Sequence, residues 1–436
     1  MRGKRPSRFD VSFCVASVAV VAALAVSGAA AQSLKTIHDF CAKKLCTDGL
    51  NPGAGLVEDA AGNLYGTTEG GGAHFTGAVF ELVPNGNKWD YRILHNFCSK
   101  GGCADGATPK DSLIIDTNGN LYGTTYDGGT GGEGGTAFEL MPNADRTKWT
   151  LHTLYSFCSL TGCADGTAPT SNLTYRGAAS GAPYDGVSPL YGATTTGGEI
   201  GDGAAFELSP RPGKSRWKER VIYNFCPGDD CTKGGNPSGA LIADNAGNLF
   251  GVTSAGGDLG LGVVFELVPK GSRWKETRLY SFCQLESCYD GSLPAGPLFL
   301  DGAGNLFGTA TSGGTLNEGV VFKLVPDGVR SQENALYSFC AETGCADGAV
   351  PQAGVTLDSA GNIFGVAMNG GGSSNAGTLF ELNASFSVLH TFCSRNKCKD
   401  GAVPLGVPIV DPSGRIFGVT QSGGANGEGT VFEATP

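Results

Sequence analysis

Short apolar runs recur along the chain in a fixed order, separated by Gly, Asn, Asp and Pro. The first complete set consists of LVED from Leu56, LYGTT from Leu64, AVFEL from Ala78 and ILHNF from Ile93. None of these runs is long enough, or has the right period, to form a helix. The pattern therefore predicts four short antiparallel β-strands per unit, which we name runs a, b, c and d.

The same four runs return through the whole chain. Run b, for example, begins at Leu64, Leu121, Leu190, Leu249, Leu306, Ile363 and Ile416. Repeat units of about 57 residues indicate a solenoid, an array or a propeller. Because runs b and c are apolar on both faces, each small sheet must be covered on both sides, as in a propeller blade. A β-sandwich would show cleaner alternation of apolar and polar residues.

The ends of the repeat series predict how the ring closes. Residues 36–40 (TIHDF) form a run d with no unit before it, and the last unit has runs a, b and c but no run d. The N-terminal strand can therefore complete the last sheet. We predict a single all-β domain over residues 32–436, a seven-bladed β-propeller with four-stranded blades. An open stack is the alternative, but neither end shows the polar capping unit that it needs.

Residues 1–31 have the features of a secretory signal peptide. Basic residues from Arg2 to Arg8 precede an apolar run, which is followed by small residues up to Ala31. We predict cleavage after Ala31 and a secreted or periplasmic protein with no membrane insertion after cleavage. A membrane-spanning anchor is the alternative, but it would need about 20 apolar residues with a polar flank, and this apolar run ends in Gly and Ala.

Composition narrows the class of partner. Gly and Pro supply 71 and 21 of 436 residues, and only 16% of residues are charged, which argues against long surface helices. Without residues 1–31 the chain keeps 26 Lys and Arg against 40 Asp and Glu, a formal charge of −14. This charge should repel nucleic acid and anionic membranes. A metal ion or a polysaccharide remains allowed as a partner.

After Cys14, the cysteines form seven C-x4-C pairs, one behind each run d. In an exported chain such an even set predicts disulfides. Structural zinc is the alternative, but no second Cys or His pair recurs beside these to complete four ligands. The predicted disulfides are Cys41–Cys46, Cys98–Cys103, Cys158–Cys163, Cys226–Cys231, Cys283–Cys288, Cys340–Cys345 and Cys393–Cys398.

An Asp-Gly dipeptide follows most of the cysteine pairs. If run a lines the central channel, the d-to-a and b-to-c loops share one face, and carboxylates around its mouth could bind calcium. We favour the plainer interpretation, in which each carboxylate bonds to the backbone of its own turn. The fourth pair is followed by Lys233 instead. The candidate ligand-face aspartates are Asp48, Asp105, Asp165, Asp290, Asp347 and Asp400.

Other polar residues give little sign of catalysis. His74 is the one histidine in a b-to-c loop, on the proposed ligand face, but no nucleophile or acidic partner can be tied to it. Glutamates such as Glu81 recur in run c, which predicts a structural role with a backbone donor or a basic residue on the next blade. Residues 176–189 lengthen the third unit, and we interpret them as a surface insertion. We assign no catalytic residue, no metal ligand and no cofactor other than the calcium considered above.

The motif GNLYGTT, the Gly-Gly that precedes G-x-V-F-E-L, and LYSF resemble those of the GloVer tandem-repeat proteins, which are secreted bacterial propeller-like repeats. The resemblance spans essentially the whole chain after residue 31. It implies a propeller fold and no defined activity. Many members look like surface proteins with a C-terminal anchor, a segment that this sequence does not show. We therefore expect release into the periplasm or medium.

A near-symmetric ring without a singular catalytic constellation favours a binding or scaffold module. We expect a monomer whose partner is a glycan or another cell-envelope component. The alternative is an extracellular lyase or hydrolase acting on a polysaccharide or lactone, by analogy with other enzymes built on propellers. A calcium-stabilised structural protein is a third hypothesis.

Overall fold

A computed structural model describes residues 33–131, 134–211, 213, 216–227, 231–326 and 331–435. In these residues the chain forms seven antiparallel sheets, one for each repeat unit, arranged as a seven-bladed β-propeller. The predicted signal peptide lies outside the described residues. No helix within the described ranges is long and apolar enough to cross a membrane.

Runs a to d form the four strands of each blade, from the inner strand to the outer one. Blade 1 contains β2 (Val57–Glu58), β3 (Leu64–Thr68), β4 (Ala78–Asn85) and β5 (Lys88–Asn96). Blade 2 contains β6 (Ile114–Ile115), β7 (Leu121–Thr125), β8 (Thr136–Pro142) and β9 (Trp149–Ser156).

In blades 3 and 4 the inner strand is split into two short pieces. Blade 3 contains β10 (Thr167–Pro169), β11 (Thr174–Tyr175), β12 (Leu190–Thr196), β13 (Ala204–Ser209) and β14 (Lys218–Asn224). Blade 4 contains β15 (Gly235–Pro237), β16 (Ile242–Ala243), β17 (Leu249–Ala255), β18 (Val263–Lys270) and β19 (Arg273–Ser281).

The remaining blades repeat the four-stranded order. Blade 5 contains β20 (Ser292–Leu300), β21 (Leu306–Ser312), β22 (Val320–Pro326) and β23 (Ser331–Ser338). Blade 6 contains β24 (Thr356–Leu357), β25 (Ile363–Ala367), β26 (Thr378–Leu382) and β27 (Phe386–Thr391). Blade 7 contains β28 (Ala402–Val410), β29 (Ile416–Ser422), β30 (Thr430–Thr435) and the N-terminal strand β1 (Ser33–Asp39).

The described helical segments are single 3-10 turns. Six belong to cysteine loops, namely Lys44–Cys46, Gly101–Cys103, Thr161–Cys163, Glu286–Cys288, Thr343–Cys345 and Asn396–Cys398. The other two are Ala178–Ser180 in blade 3 and Gly372–Ser374 in blade 6.

The predicted closure of the ring is confirmed. Strand β1 pairs antiparallel with β30, so that Ser33 faces Thr435 and Thr36 faces Phe432. The first strand is therefore the outer strand of the last blade, and no blade is left with three strands.

Apolar side chains fill the space between successive blades. One cluster joins Phe80 of blade 1 to Phe417 and Val431 of blade 7, and similar clusters join the other neighbours. Within a blade, a Cβ added to Gly66 of run b would lie 2.6 Å from the Phe80 ring of run c. The glycine of run b is therefore needed to let the phenylalanine lie flat against the sheet.

The insertion in blade 3 is more than a surface loop. Its Tyr184 is fully buried and packs edge-on against Tyr122 of blade 2, with ring centroids 5.2 Å apart. The backbone N–H of Thr117 donates to the carbonyl oxygen of Tyr184 at 3.1 Å. On the other side, Arg176 Nε donates to the carbonyl oxygen of Asn245 in blade 4 at 2.9 Å. The insertion thus ties blades 2 and 4 to blade 3, which its composition did not reveal.

Candidate functional site

The d-to-a and b-to-c loops lie on one face of the propeller, as predicted. In blade 1, Leu50 pairs with Gly70, and the N–H of Gly72 donates to the carbonyl oxygen of Cys46 at 2.9 Å. Each cysteine loop therefore packs directly on the b-to-c loop of the next blade, and together these loops form what we call the loop face.

All seven predicted disulfides are present, each within its own loop. Every one of these fourteen cysteines has a positive φ, for example 55° at Cys41 and 50° at Cys46. L side chains rarely adopt this conformation, so something must hold it in place. The closed disulfide ring provides that restraint, and in six of the seven loops the aspartate that follows the ring adds to it.

The six candidate aspartates are buried, with exposed fractions of 0 to 1%. Each carboxylate accepts hydrogen bonds from its own cysteine loop. For Asp347, Oδ2 accepts the N–H of Ala341 at 2.9 Å and the hydroxyl of Tyr337 at 2.7 Å, while Oδ1 accepts the N–H of Glu342 at 3.2 Å. The structure thus places these carboxylates inside separate turns, where they support the loops instead of facing the mouth of the channel.

Hydrogen-bond donors close to the aspartates stabilise their negative charge. Burial alone would raise the pKa of Asp105, but hydrogen bonds from His95, Ser99 and Lys100 outweigh burial and lower it. The same balance lowers the pKa of Asp400. The carboxylates of Asp105 and Asp400 are therefore ionised, and their oxygens already accept hydrogen bonds, over the ordinary pH range.

The remaining sequence candidates lie apart from these turns. His74 is exposed in the b-to-c loop of blade 1, next to the exposed Phe75. Glu81 of run c is buried and forms an ion pair with Arg92. Arg92 belongs to the same blade, so the expectation of a basic partner on the next blade is wrong here, because the d strand lies directly beside the c strand.

A cavity of about 520 Å³ lies at the centre of the ring and is lined by residues from all seven blades. Most of its wall comes from the segment between the cysteine loop and run a, which has the form P-x-x-x-L in most units. The residue at the middle of this segment is Ala54, Asp111, Ser171, Gly239, Gly296, Ala353 or Gly406 in blades 1 to 7. The cavity is therefore built from equivalent positions that carry different side chains.

Blades 1 to 3 give the cavity one polar sector. Its lining contains three ionisable side chains, which are Glu69 from blade 1 and Lys110 and Asp111 from blade 2. Ser112 and Asn172 lie next to them, and the N–H of Ser112 donates to Oδ1 of Asn172 at 2.7 Å. This hydrogen bond joins blades 2 and 3 at the cavity wall.

Asp111 is the most perturbed group of this sector. Burial raises its pKa to about 7, against the opposing effects of a hydrogen bond from Thr124 and the charge of Lys110, and the charge of Glu69 raises it further. Thr124 Oγ1 donates to Asp111 Oδ2 at 2.7 Å. The side chain is only 8% exposed. Asp111 thus exchanges a proton near neutral pH while its carboxyl group is held in place.

Lys110 and Glu69 also line the cavity, and their charges act on this carboxyl group. Lys110 Nζ lies 3.9 Å above the ring centroid of Tyr126, a cation–π contact that orients the ammonium group. Burial raises the pKa of Glu69, and the positive charge of Lys110 opposes this effect. The sector therefore combines an anchored cation with two carboxyl groups of different environment.

The opposite sector of the cavity is built for close backbone packing. A Cβ on Gly239 would collide with the carbonyl oxygen of Gly296 in the next blade. Blades 4 and 5 therefore meet here through backbone. The hydroxyl groups that line this side, those of Ser238, Ser254 and Thr311, donate to backbone carbonyl oxygens, and the described lining here contains no ionisable side chain. The polar sector stands out against this background.

The residues Glu69, Lys110 and Asp111 were missed in the sequence because they fall in segments that connect the recurrent motifs. The signal is nevertheless present. When the units are aligned on P-x-x-x-L, charged residues occur in this segment only in unit 2, as Lys110 and Asp111. A site in a symmetric repeat protein is expected where one unit departs from the others.

The fold and the disulfide-closed loop face define a seven-bladed β-propeller of the tandem-repeat type. The family model described as Gloeobacter/Verrucomicrobia repeat matches residues 24–188 and 178–354. The chain belongs to this repeat family, as the resemblance of its motifs predicted.

Among solved structures, the chain is similar to the Trypanosoma rangeli sialidase. The identity is 10% and the TM-score 0.41, and the match covers 88% of this chain and 54% of the sialidase. This chain thus spans about half the length of that enzyme, and a similarity this distant carries no functional argument. No curated protein matches the chain.

Proposed function

We propose that the protein is an extracellular or periplasmic binding module whose ligand enters the central cavity and contacts Glu69, Lys110 and Asp111. The observation that supports this proposal is the asymmetry of the cavity. One sector of a repeated ring holds all three ionisable side chains of the lining. Burying Asp111 costs stability. A ligand that bonds to this group would offset that cost.

The chemistry of the sector favours a glycan. Carboxyl, ammonium, hydroxyl and amide groups converge there, and polyhydroxylated ligands use such mixed donors and acceptors. A cavity of about 520 Å³ lies within the usual range for small-molecule sites. We therefore propose a mono- or oligosaccharide, free or part of the cell envelope, as the ligand of a monomeric propeller.

The test is a binding screen of the whole protein against neutral and charged oligosaccharides, followed by calorimetry on the best ligand. Lys110→Ala and Asp111→Asn should each weaken binding about tenfold or more, because each removes a polar contact in the cavity. Ser238→Ala, in the opposite sector of the same cavity, is the matched control. Unchanged affinity in both sector variants, or no saturable ligand in the screen, would contradict the proposal.

A second candidate function is hydrolysis or lyase chemistry on a polysaccharide or lactone. It is supported by Asp111, whose pKa of about 7 lets it donate or accept a proton at neutral pH, and by the second carboxyl group of Glu69. Turnover of chromogenic glycosides and lactones should then depend on a group that titrates near pH 7 and disappear in Asp111→Asn. Binding without any turnover favours the first proposal.

A further inference from the structure

Three consecutive cysteine loops carry six exposed basic side chains. These loops follow the outer strands of blades 6, 7 and 1, and all three are d-to-a loops of the loop face. We name this set the basic arc, and it consists of Lys43, Lys44, Lys100, Arg395, Lys397 and Lys399.

The three loops follow one another around the ring. Apolar clusters join blade 6 to blade 7 and blade 7 to blade 1, so the loops at Cys393, Cys41 and Cys98 are successive neighbours. Arg395 Nη2 also donates to the carbonyl oxygen of Leu34 in strand β1 at 2.8 Å. The hydrogen bond holds Arg395 against blade 7, and the basic arc spans three neighbouring loops of the loop face.

The three loops carry an excess of positive charge, with six basic side chains and three acids. None of its six residues takes part in an ion pair among the described residues. The acids of the same loops are Asp48, Asp105 and Asp400, which are buried and bonded to their own turns. On the other side of the ring, Lys233 and Arg278 are both paired with carboxylates. An excess of cations in a chain of strongly negative net charge indicates a surface for an anionic partner.

We propose that the basic arc binds an acidic polysaccharide, a chain with a carboxylate on its sugar units. The charge on the rest of the loop face distinguishes a thin anionic polymer from a wide anionic surface. Glu199, Glu286 and Glu342 are exposed on the loops of blades 3 to 5. A wide anionic object such as a bilayer or a DNA duplex would meet these acids as well and be repelled, whereas a thin polymer can follow the basic arc alone.

The loops that carry the basic arc are rigid. Each is closed by a disulfide and fastened by a buried aspartate, as at Cys41–Cys46, where the N–H groups of Ala42 and Lys43 donate to Asp48 at 2.9 and 3.1 Å. Little backbone entropy is then lost when a polymer binds. This site is separate from the central cavity and does not depend on the function proposed for it.

The test measures binding of the full protein to polygalacturonate, with dextran as the neutral polymer. Polygalacturonate should bind, and its affinity should fall as salt rises because the contacts are exposed. Lys43→Ser, Lys44→Ser and Lys397→Ser combined should weaken binding about tenfold, since three exposed contacts are lost. The control Lys148→Ser, Lys270→Ser and Lys275→Ser removes the same charge from exposed positions outside the arc and should leave binding unchanged.

Several outcomes would overturn the proposal. Dextran could bind as well as polygalacturonate, or the control triple variant could lose as much affinity as the arc variant. Anionic phospholipid vesicles or duplex DNA could bind more tightly than the polysaccharide. Loss of polygalacturonate binding in Lys110→Ala would move the polymer to the cavity, whereas retained binding in that variant separates this proposal from the previous one. A melting temperature for each variant checks that the fold is intact.

Discussion

Lys233 Nζ lies 3.2 Å from Oε2 of Glu276, whose side chain is 1% exposed. Lys233 stands where six other units have a buried aspartate, and Glu276 comes from the outer strand of the next blade. In this loop, an ion pair with the outer strand of the next blade thus takes the place of the aspartate turn. Lys233 therefore provides a cation for a buried carboxylate that would otherwise face an aspartate.

We expect Lys233→Ala to destabilise the propeller by about 1–3 kcal/mol, because it leaves the buried carboxylate of Glu276 without its cation. The exposed half of Lys233 keeps the effect below that of a fully buried pair. The double variant Lys233→Ala with Glu276→Gln should recover part of the loss. Equal melting temperatures for wild type and Lys233→Ala would show that the pair contributes nothing.

Two other outer strands carry a glutamate at the position of Glu276, but face an aspartate. Burial, and then the charge of Asp165, raises the pKa of Glu219 to about 8, and burial with Asp290 does the same for Glu333. The folded protein holds these protons more tightly than the unfolded chain. The stability that each protonated carboxyl group provides is therefore complete below pH 4.5 and is lost as the pH rises to about 8.

Replacing both groups, Glu219→Gln and Glu333→Gln, should raise the melting temperature at pH 9 and change it little at pH 5. The expected gain at pH 9 is about 1–3 kcal/mol per site. Glu286→Gln, at an exposed carboxylate, is the control. A gain of equal size at both pH values would show that charge on the buried glutamates is not its source.

His38 makes the closing strand sensitive to acid. Its ring stacks on Tyr91 of blade 1 with centroids 3.7 Å apart, and burial lowers its pKa to about 4 although the charge of Asp48 opposes the shift. Because the unfolded chain binds this proton more tightly, stability falls as the pH drops from 6.5 towards 4. His38→Tyr, which copies the residue of blades 2 to 5, should lose less stability between pH 7 and pH 5 than wild type does. His74→Tyr should behave like wild type, and identical curves for all three proteins would contradict the prediction.

The buried aspartates should stabilise the protein through the hydrogen bonds that they accept in their turns. Asp347→Asn removes the charge that accepts two N–H groups and a hydroxyl, and we expect a loss of about 1–3 kcal/mol by thermal or chemical denaturation. Asp90→Asn, at an exposed site, should change stability little. If the turn aspartate proves as tolerant as Asp90, its hydrogen bonds are not needed to hold the loop.

Calcium should not stabilise the protein through these carboxylates. Their oxygens already accept hydrogen bonds in separate buried turns, so no shared set of free oxygens remains for the ion. We expect the same melting temperature in calcium and in chelator. A rise of several degrees with calcium would point to a site elsewhere on the molecule.

The repeat pattern predicted the architecture because the same four runs recur in order, so that the strands inferred for one unit apply to all the others. Strand order, blade number and the pairing of β1 with β30 follow from counting runs, and the disulfides follow from a fixed spacing. The burial of Asp48 and its equivalents was less visible, since an Asp-Gly turn can face either solvent or protein. Tyr184 was missed for a similar reason, because nothing in a Gly-rich insertion shows where its one large aromatic ring packs.

The candidate site was hidden by the same regularity that revealed the fold. Lys110 and Asp111 lie between the recurrent runs, in a segment whose residues differ from unit to unit. Their significance comes from what the other units lack at those positions. The pKa of Asp111 in turn depends on burial at the hub, which no local sequence feature reports.

The junction of β1 with β30 also sets the order of events when the polypeptide is made. Ribosomes deliver the amino end first, at about 5–20 residues per second, so the partner of Ser33 emerges roughly 20 to 80 s later. Until that partner is available, strand β1 has no neighbour to pair with, so the ring cannot close before the last repeat has been made. A propeller closed in this way should therefore complete its fold only after synthesis, which is compatible with the predicted export signal.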